Sequence, residues 1–259
     1  MRLVFMGTPT FAVPVLEGMT SLDGSEIVGV YTPPDRPAGR GRIAQSSPVK
    51  NYAEEHGLPV FQPANFRSDE TKAELAALQP DAIIVAAYGK LLPKSVLALA
   101  PLGFLNIHPS LLPRHRGASP VATTILDGDQ VTGVTIMLLD EGMDTGPLIA
   151  QHEFFLKGSE TTDGLTMALF ELGGNLLREI LPQWQSGELL SEPQDESLAS
   201  VTRKLERVDG LADWSLSADE LERRARAFTP WPGLFTDWNG SGLKLVSVAF
   251  IASDSAEFE

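Results

Sequence analysis

Asn106 and His108 stand one residue apart at the end of the apolar run GFLNIH, after which the chain passes through Pro109 and Pro113. Residues two apart on an extended strand point the same way, so this amide and this imidazole face one space. The two prolines block regular ladder pairing and leave backbone N–H and C=O groups for other partners. Taken alone the pair fits two readings: the wall of a site, or a strand end whose Asn and His satisfy turn hydrogen bonds. The stretch LLDEGMDTGPLI, Leu138 to Ile149, favours a site, because it joins two strand-like runs through three carboxylates and two glycines and can bring Asp144 beside His108. A carboxylate next to an imidazole fixes its tautomer and stabilises its charged form. Asp140 and Glu141 read as an ordinary acidic turn. An amide donor, a histidine and a carboxylate together suggest addition to a carbonyl: Asn106 donating to a developing oxyanion, His108 doing so when protonated, and Asp144 supporting that charge or taking the proton released by a nucleophile.

Other chemistries find less support. The absence of cysteine among the 259 residues removes disulfides, thiolate metal sites and cysteine nucleophiles together. His56, His115 and His152 are scattered without metal-ligand spacing, so no metal is expected. Gly7-Thr8-Pro9 lacks the G-x-G-x-x-G pattern and reads as a tight turn after the first strand. The loop PPDRPAGRGRIAQSSPVK sets Arg36, Arg40, Arg42 and Lys50 against Asp35, with Gly39 and Gly41 between the arginines. It fits either a solvated loop or a segment that orders on a phosphate backbone. The net charge of −14 argues against a surface that is basic all over, and the balance is uneven: nine basic and ten acidic residues up to position 105, eleven and twenty-four after it. Any cationic surface therefore lies in the first part. MRLVFMGTP is too short for a signal segment and no later run spans a bilayer, so a cytoplasmic protein without membrane contact is expected.

These side chains need a scaffold that holds them at strand ends. RLVFM, EIVGVY, LPVFQP, DAIIVAA and GFLNIH are continuous apolar runs separated by segments of helical length, which predicts an α/β domain whose mostly parallel sheet is covered on both faces. Ser47, Pro48 and Gly57 mark the cap, first turn and stop of one helix; VTGVTIMLL and PLIAQHEFF add two strands, and a helix from Asp163 to about Gln185 closes the domain at residue 189. SGELLSEPQDESLAS is polar and acidic and falls in a linker over 190–208. Residues 209–259 carry one helix with a capping box, Ser217 and Glu220, and two strand-like runs around Asn239 to Gly242. That is a poor independent domain, as if a small β structure were half present.

The segments FMGTPTFAVPVLE, YTPPDRPAGRG, SPVK, GLPVFQP, VAAYGKLLP, NIHPSLLPRHRGASP, TGVTIMLLDEGMDTG and DWSLSADELERRARAFTPWPG run in order over nearly the whole chain and closely resemble the methionyl-tRNA formyltransferases. The resemblance implies a Rossmann-like formyltransferase domain followed by an incomplete OB-like region. It implies transfer of a formyl group from 10-formyltetrahydrofolate, without a metal, to the α-amino group of methionine on initiator methionyl-tRNA by a monomer. Asn106, His108 and Asp144 match the family's catalytic trio; Ser110, Leu111, Leu112 and Pro113 match its folate-contacting run, with Tyr88 and Gly89 near the same pocket; Arg36, Arg40 and Arg42 match the loop set against tRNA. His115 departs from the Trp or Tyr usual there. Two alternatives keep the same residues: a formyltransferase for a small amine such as an amino sugar, which needs no cationic loop, and a non-catalytic folate-binding module.

Overall fold

The computed structural model describes residues 1–38 and 43–249. Its centre is a seven-stranded sheet built from β1 (Arg2–Gly7), β2 (Glu26–Tyr31), β5 (Val60–Phe61), β6 (Ala82–Ala86), β7 (Phe104–His108), β9 (Val131–Leu138) and β10 (Leu148–Phe155), in the order β10-β9-β7-β6-β1-β2-β5. The five strands from β5 to β7 pair in parallel, and β9 runs antiparallel to both of its neighbours. The chain moves outward from β1 to β2 and β5, then returns to β6 and β7 on the other side. Strand order therefore reverses between β1 and β6, where open α/β sheets leave a crevice.

The unbroken apolar runs follow from burial on both faces. Along β1, Leu3 and Phe5 enter one core with Val15, Leu16 and Leu177, while Val4 and Met6 enter the opposite core with Phe66, Leu75 and Val96. The first core is roofed by α1 (Val13–Thr20), α2 (Pro48–Glu55) and α6 (Thr162–Ser186), the second by α3 (Asp69–Ala77) and α4 (Lys94–Leu97). Ser47 caps α2 as its position predicts, accepting the Lys50 N–H at 3.1 Å. LPVFQP gives only the two residues of β5, since its flanking prolines, Pro59 and Pro63, cannot donate to a ladder.

Three short elements complete the scaffold near the site: the hairpin of β3 (Arg36–Ala38) and β4 (Ile43–Gln45), the two-residue β8 (Arg116–Gly117), and α5 (Pro120–Asp127). The polar segment 190–208 lies against the first domain: Glu192 bridges to Leu148, and β11 (Val201–Thr202) pairs in parallel with β8. After it come α7 (Ala218–Ala227), with the Ser217–Glu220 capping box formed, and the hairpin of β12 (Leu234–Trp238) and β13 (Ser241–Leu245). Residues 250–259 of the C-terminal region lie outside the described residues. Among the described residues, no helix is long and apolar enough to cross a membrane.

Candidate active site

β7 is an interior strand, with Asn106 in register between Val85 of β6 and Met137 of β9. Asn106, Ile107, His108 and Pro109 form one wall of a cavity of about 820 Å³. Val85, Ala87, Tyr88 and Gly89 supply a second wall from the end of β6, and Leu139 to Asp144 a third. A smaller hollow of about 310 Å³ beside β5 contains none of the trio. The larger volume lies within the range of small-molecule sites, and its lining combines apolar side chains such as Phe11, Leu92 and Leu139 with polar groups that include Asn106, His108 and Asp144.

Asp144 reaches the site by a reversal of the chain. β9 ends opposite Leu105, three residues before His108, so the connection to β10 must double back. Asp140 holds that turn, accepting from the Gly142 N–H and from the Thr145 hydroxyl at 2.9 Å, and Glu141 meets Lys94 at the surface. Both behave as turn residues. At Gly146 an added Cβ would run into the Leu138 carbonyl oxygen, so the return needs glycine. Asp144 then sits at φ +55°, with Oδ2 accepting the Gly117 N–H at 2.8 Å and lying 3.6 Å from His108 Nδ1. Ala87 at φ +50° and His115 at φ +61° share the left-handed region, which is sparsely used by residues other than glycine and clusters at functional sites.

His108 is 4 % exposed, and its Nε2 lies 3.0 Å from the His115 carbonyl oxygen. A carbonyl only accepts, so Nε2 carries the hydrogen and Nδ1 is the free base of the neutral ring. Burial pushes the His108 pKa below its ordinary value, opposed by the Asp144 carboxylate and the His115 carbonyl. Burial thus favours the neutral form of the imidazole. The Asn106 carboxamide has no hydrogen-bond partner among the described residues, which leaves its donors available to a guest in the cavity.

The remaining predicted residues take different places. Ser110, Leu111, Leu112 and Pro113 do not line the cavity; they form the turn behind it. Ser110 donates to the Arg114 carbonyl at 2.7 Å, while the Thr135 hydroxyl donates to the Ser110 carbonyl at 2.6 Å and accepts the Leu112 N–H at 3.1 Å. Tyr88 is buried with its hydroxyl unpartnered, which raises its pKa, and its carbonyl accepts from Thr8. Arg36 lies in β3, and Arg40 and Arg42 lie outside the described residues. Donor atoms of His115, Asp127 and Asp129 come within 4.8 Å of one another although they are spread in sequence. His115 Nε2 and the Arg114 guanidinium already engage Asp129, at 2.8 and 3.0 Å, so the carboxylate is neutralised by side chains.

Sequence patterns missed the apolar lining: Phe11, Leu92, Leu97 and Leu139, with Leu91 (88 % exposed) and Met143 (65 % exposed) at the mouth. They resemble any other core leucine in a one-dimensional reading. Arg116, Gln194 and Glu196 were missed too, since arginine after histidine and a polar acidic segment both read as surface.

A family model described as "Formyl transferase" matches residues 1–181, and one described as "Formyl transferase, C-terminal domain" matches residues 204–258. A protein of Chloroflexus aggregans named methionyl-tRNA formyltransferase is 50 % identical over 256 residues, covering 99 % of this chain and 82 % of its own length. Among solved structures, a sugar N-formyltransferase from Shewanella superposes with TM-score 0.73 at 14 % identity, covering 98 % of this chain and 99 % of its own. An N-formyltransferase from Helicobacter canadensis, solved with folinic acid and dTDP-3-aminofucose, gives TM-score 0.70 at 19 % identity over 95 % and 86 % of the two chains. At these identities the two structures speak for the fold alone.

Proposed function

Because this chain belongs to the methionyl-tRNA formyltransferase family and is a formyltransferase, we propose that it transfers a formyl group from 10-formyltetrahydrofolate to the α-amino group of methionine on initiator methionyl-tRNA. The observation that carries this reading is the uncommitted Asn106 carboxamide sharing one cavity wall with the His108–Asp144 pair, at the end of β7.

The residues present suit the donor. Val85, Leu92, Leu97 and Leu139 offer an apolar slot for a flat heterocycle, and the left-handed turns at Ala87, Gly89 and Asp144 leave the backbone near them open. 10-Formyltetrahydrofolate supplies an activated formyl carbon on a nitrogen that departs once it has gained a proton. Asn106 Nδ2 donates to the formyl oxygen as negative charge develops there. His108 Nδ1, the remaining base of the neutral ring, takes the proton that the amine loses as its nitrogen bonds to the formyl carbon. Asp144 stabilises the imidazolium so formed, which can return that proton to the departing nitrogen. An α-amino group titrates near pH ~7.7, so its deprotonation is a modest demand, and orientation and oxyanion stabilisation carry more of the barrier. Ser110 to Pro113 act behind this wall, fixing the turn that sets the His115 carbonyl against His108.

We assign residues 1–189 to the catalytic, donor-binding domain, 190–208 to the linker and 209–259 to an OB-like C-terminal region that helps hold tRNA. Arg36, Arg40 and Arg42 are the phosphate contacts of this proposal, and the enzyme acts as a cytoplasmic monomer. The acceptor class is supported by relatives at about half identity that carry the tRNA enzyme's name. Mass spectrometry of the amino acid esterified to initiator tRNA, after incubation with the formyl donor, tests the whole proposal. Formylmethionine is expected from the intact chain; unmodified methionine under conditions where an amino sugar is formylled would move the reading to a small-amine enzyme.

A further inference from the structure

Gln194 lies in the polar segment after the first domain, yet its side-chain amide is fully engaged at the site. Its Nε2 donates to the carbonyl oxygens of Asp144 and Gly146 at 2.8 and 2.7 Å. Its Oε1 accepts from Arg116 Nε and Nη2 at 3.0 and 2.8 Å. Arginine only donates and carbonyls only accept, so the amide has a single orientation with both hydrogens and both lone pairs used. Arg116 is 4 % exposed, and Glu196 closes over its outer edge through two further bonds of 3.0 and 2.8 Å. The residue after Arg116, Gly117, donates its N–H to Asp144 Oδ2. Arg116–Gly117 thus fixes the carboxylate directly and its backbone through Gln194.

Asp144 needs such support. A non-glycine residue at φ +55° costs on the order of 1–3 kcal/mol, and the conformation persists only where the surroundings impose it. Gln194 grips the carbonyls of Asp144 and of the residue two further on, spanning the strained turn.

We propose that Gln194, oriented by Arg116 and Glu196, is a positioning residue for Asp144: it holds the carboxylate at the distance from which it supports His108. The segment that leads to the C-terminal region is therefore part of the catalytic apparatus and not a spacer. This rests on the assignment of Asp144 as a catalytic group.

The test compares Gln194→Leu, Gln194→Glu and Asp144→Asn in the full chain, by steady-state formylation of methionyl-tRNA and by thermal melting. Gln194→Leu removes all four bonds; Gln194→Glu keeps an acceptor for Arg116 but cannot donate to the two carbonyls. Both should lower kcat by about 10- to 100-fold, the scale of a slightly misplaced catalytic group, with KM for each substrate within about twofold of the parent. Full kcat in either Gln194 variant, beside an inactive Asp144→Asn, would overturn the proposal and leave the site assignment standing. A raised KM with kcat unchanged would overturn it as well, by making Gln194 a binding residue. Full activity in Asp144→Asn would remove the site assignment itself. Should Gln194→Leu fail to fold, Gln194→Glu, which keeps the Arg116 contact, decides alone.

Discussion

Asn106 and His108 differ in what the fold asks of them, and their variants should differ accordingly. The Asn106 side chain lines the cavity without a partner among the described residues, so Asn106→Ala removes nothing that the folded state uses. It should lower formyl transfer by about 100- to 1000-fold, the usual worth of one oxyanion donor, while the unfolding free energy from urea titration stays within about 0.5 kcal/mol of the parent. His108, the base of the proposed reaction, is also buried in the fold. Because burial holds its pKa below about 6.5, the value of a free histidine, the unfolded chain takes up a proton that the folded chain refuses as pH falls past that point. Stability from this group is full above the unfolded pKa and declines as pH drops toward the folded one. Asp144 and the His115 carbonyl face the ring and moderate the effect without reversing it. Urea midpoints at pH 7.5 and 5.5 should fall further for the parent than for His108→Asn; equal falls would show that the imidazole titrates normally.

At the level of elements, the site depends on turns that are expensive in backbone terms. β8 is two residues long, but its Gly117 at φ +101° lies so close to the chain that an added Cβ would strike the Thr202 carbonyl oxygen of β11. Gly117→Ala should therefore cost about 1–3 kcal/mol and lower activity together, because the displaced N–H is the one that holds Asp144. Thermal melting and formylation rate check this, and an alanine variant with parental stability would mean that β8 can shift freely. The elements that sequence made legible are those with a periodic signal: the buried runs of β1, β2, β6 and β7, the capped helices α2 and α7, and α6, predicted from Asp163 to about Gln185 and found at Thr162–Ser186. β8, β11 and the course of 190–208 were not legible. Their pairing joins residues about 85 positions apart, and nothing local in a two-residue strand announces its partner.

Across the molecule, the region after the linker is fastened to the first domain by a shared core: Val121 and Ile125 of α5 and Leu165 and Leu169 of α6 pack with Ala227, Phe228 and Leu234. Phe228→Ala should cost about 3–5 kcal/mol, read as a lower urea midpoint for one transition of the whole chain; an early transition affecting only the C-terminal region would show the two parts to be independent. The charge distribution makes a separate prediction. In the proposed function the cationic loop supplies phosphate contacts within a chain of net charge −14, so replacing Arg40 by Ala should weaken tRNA binding and reduce its salt dependence by about one phosphate contact, leaving folate binding unchanged. The sequence by itself determined the α/β class, the sheet covered on both faces, and the pairing of an amide with an imidazole at one strand end, because hydrophobic periodicity and the two-residue repeat of a strand are local facts. Only the tertiary structure decided that Asp144 doubles back to within 3.6 Å of His108, that Ser110 to Pro113 stand behind the wall, and that Gln194 reaches in from the linker. Those outcomes rest on left-handed turns and on hydrogen bonds between distant segments, whose energies exist only once the chain has closed on itself.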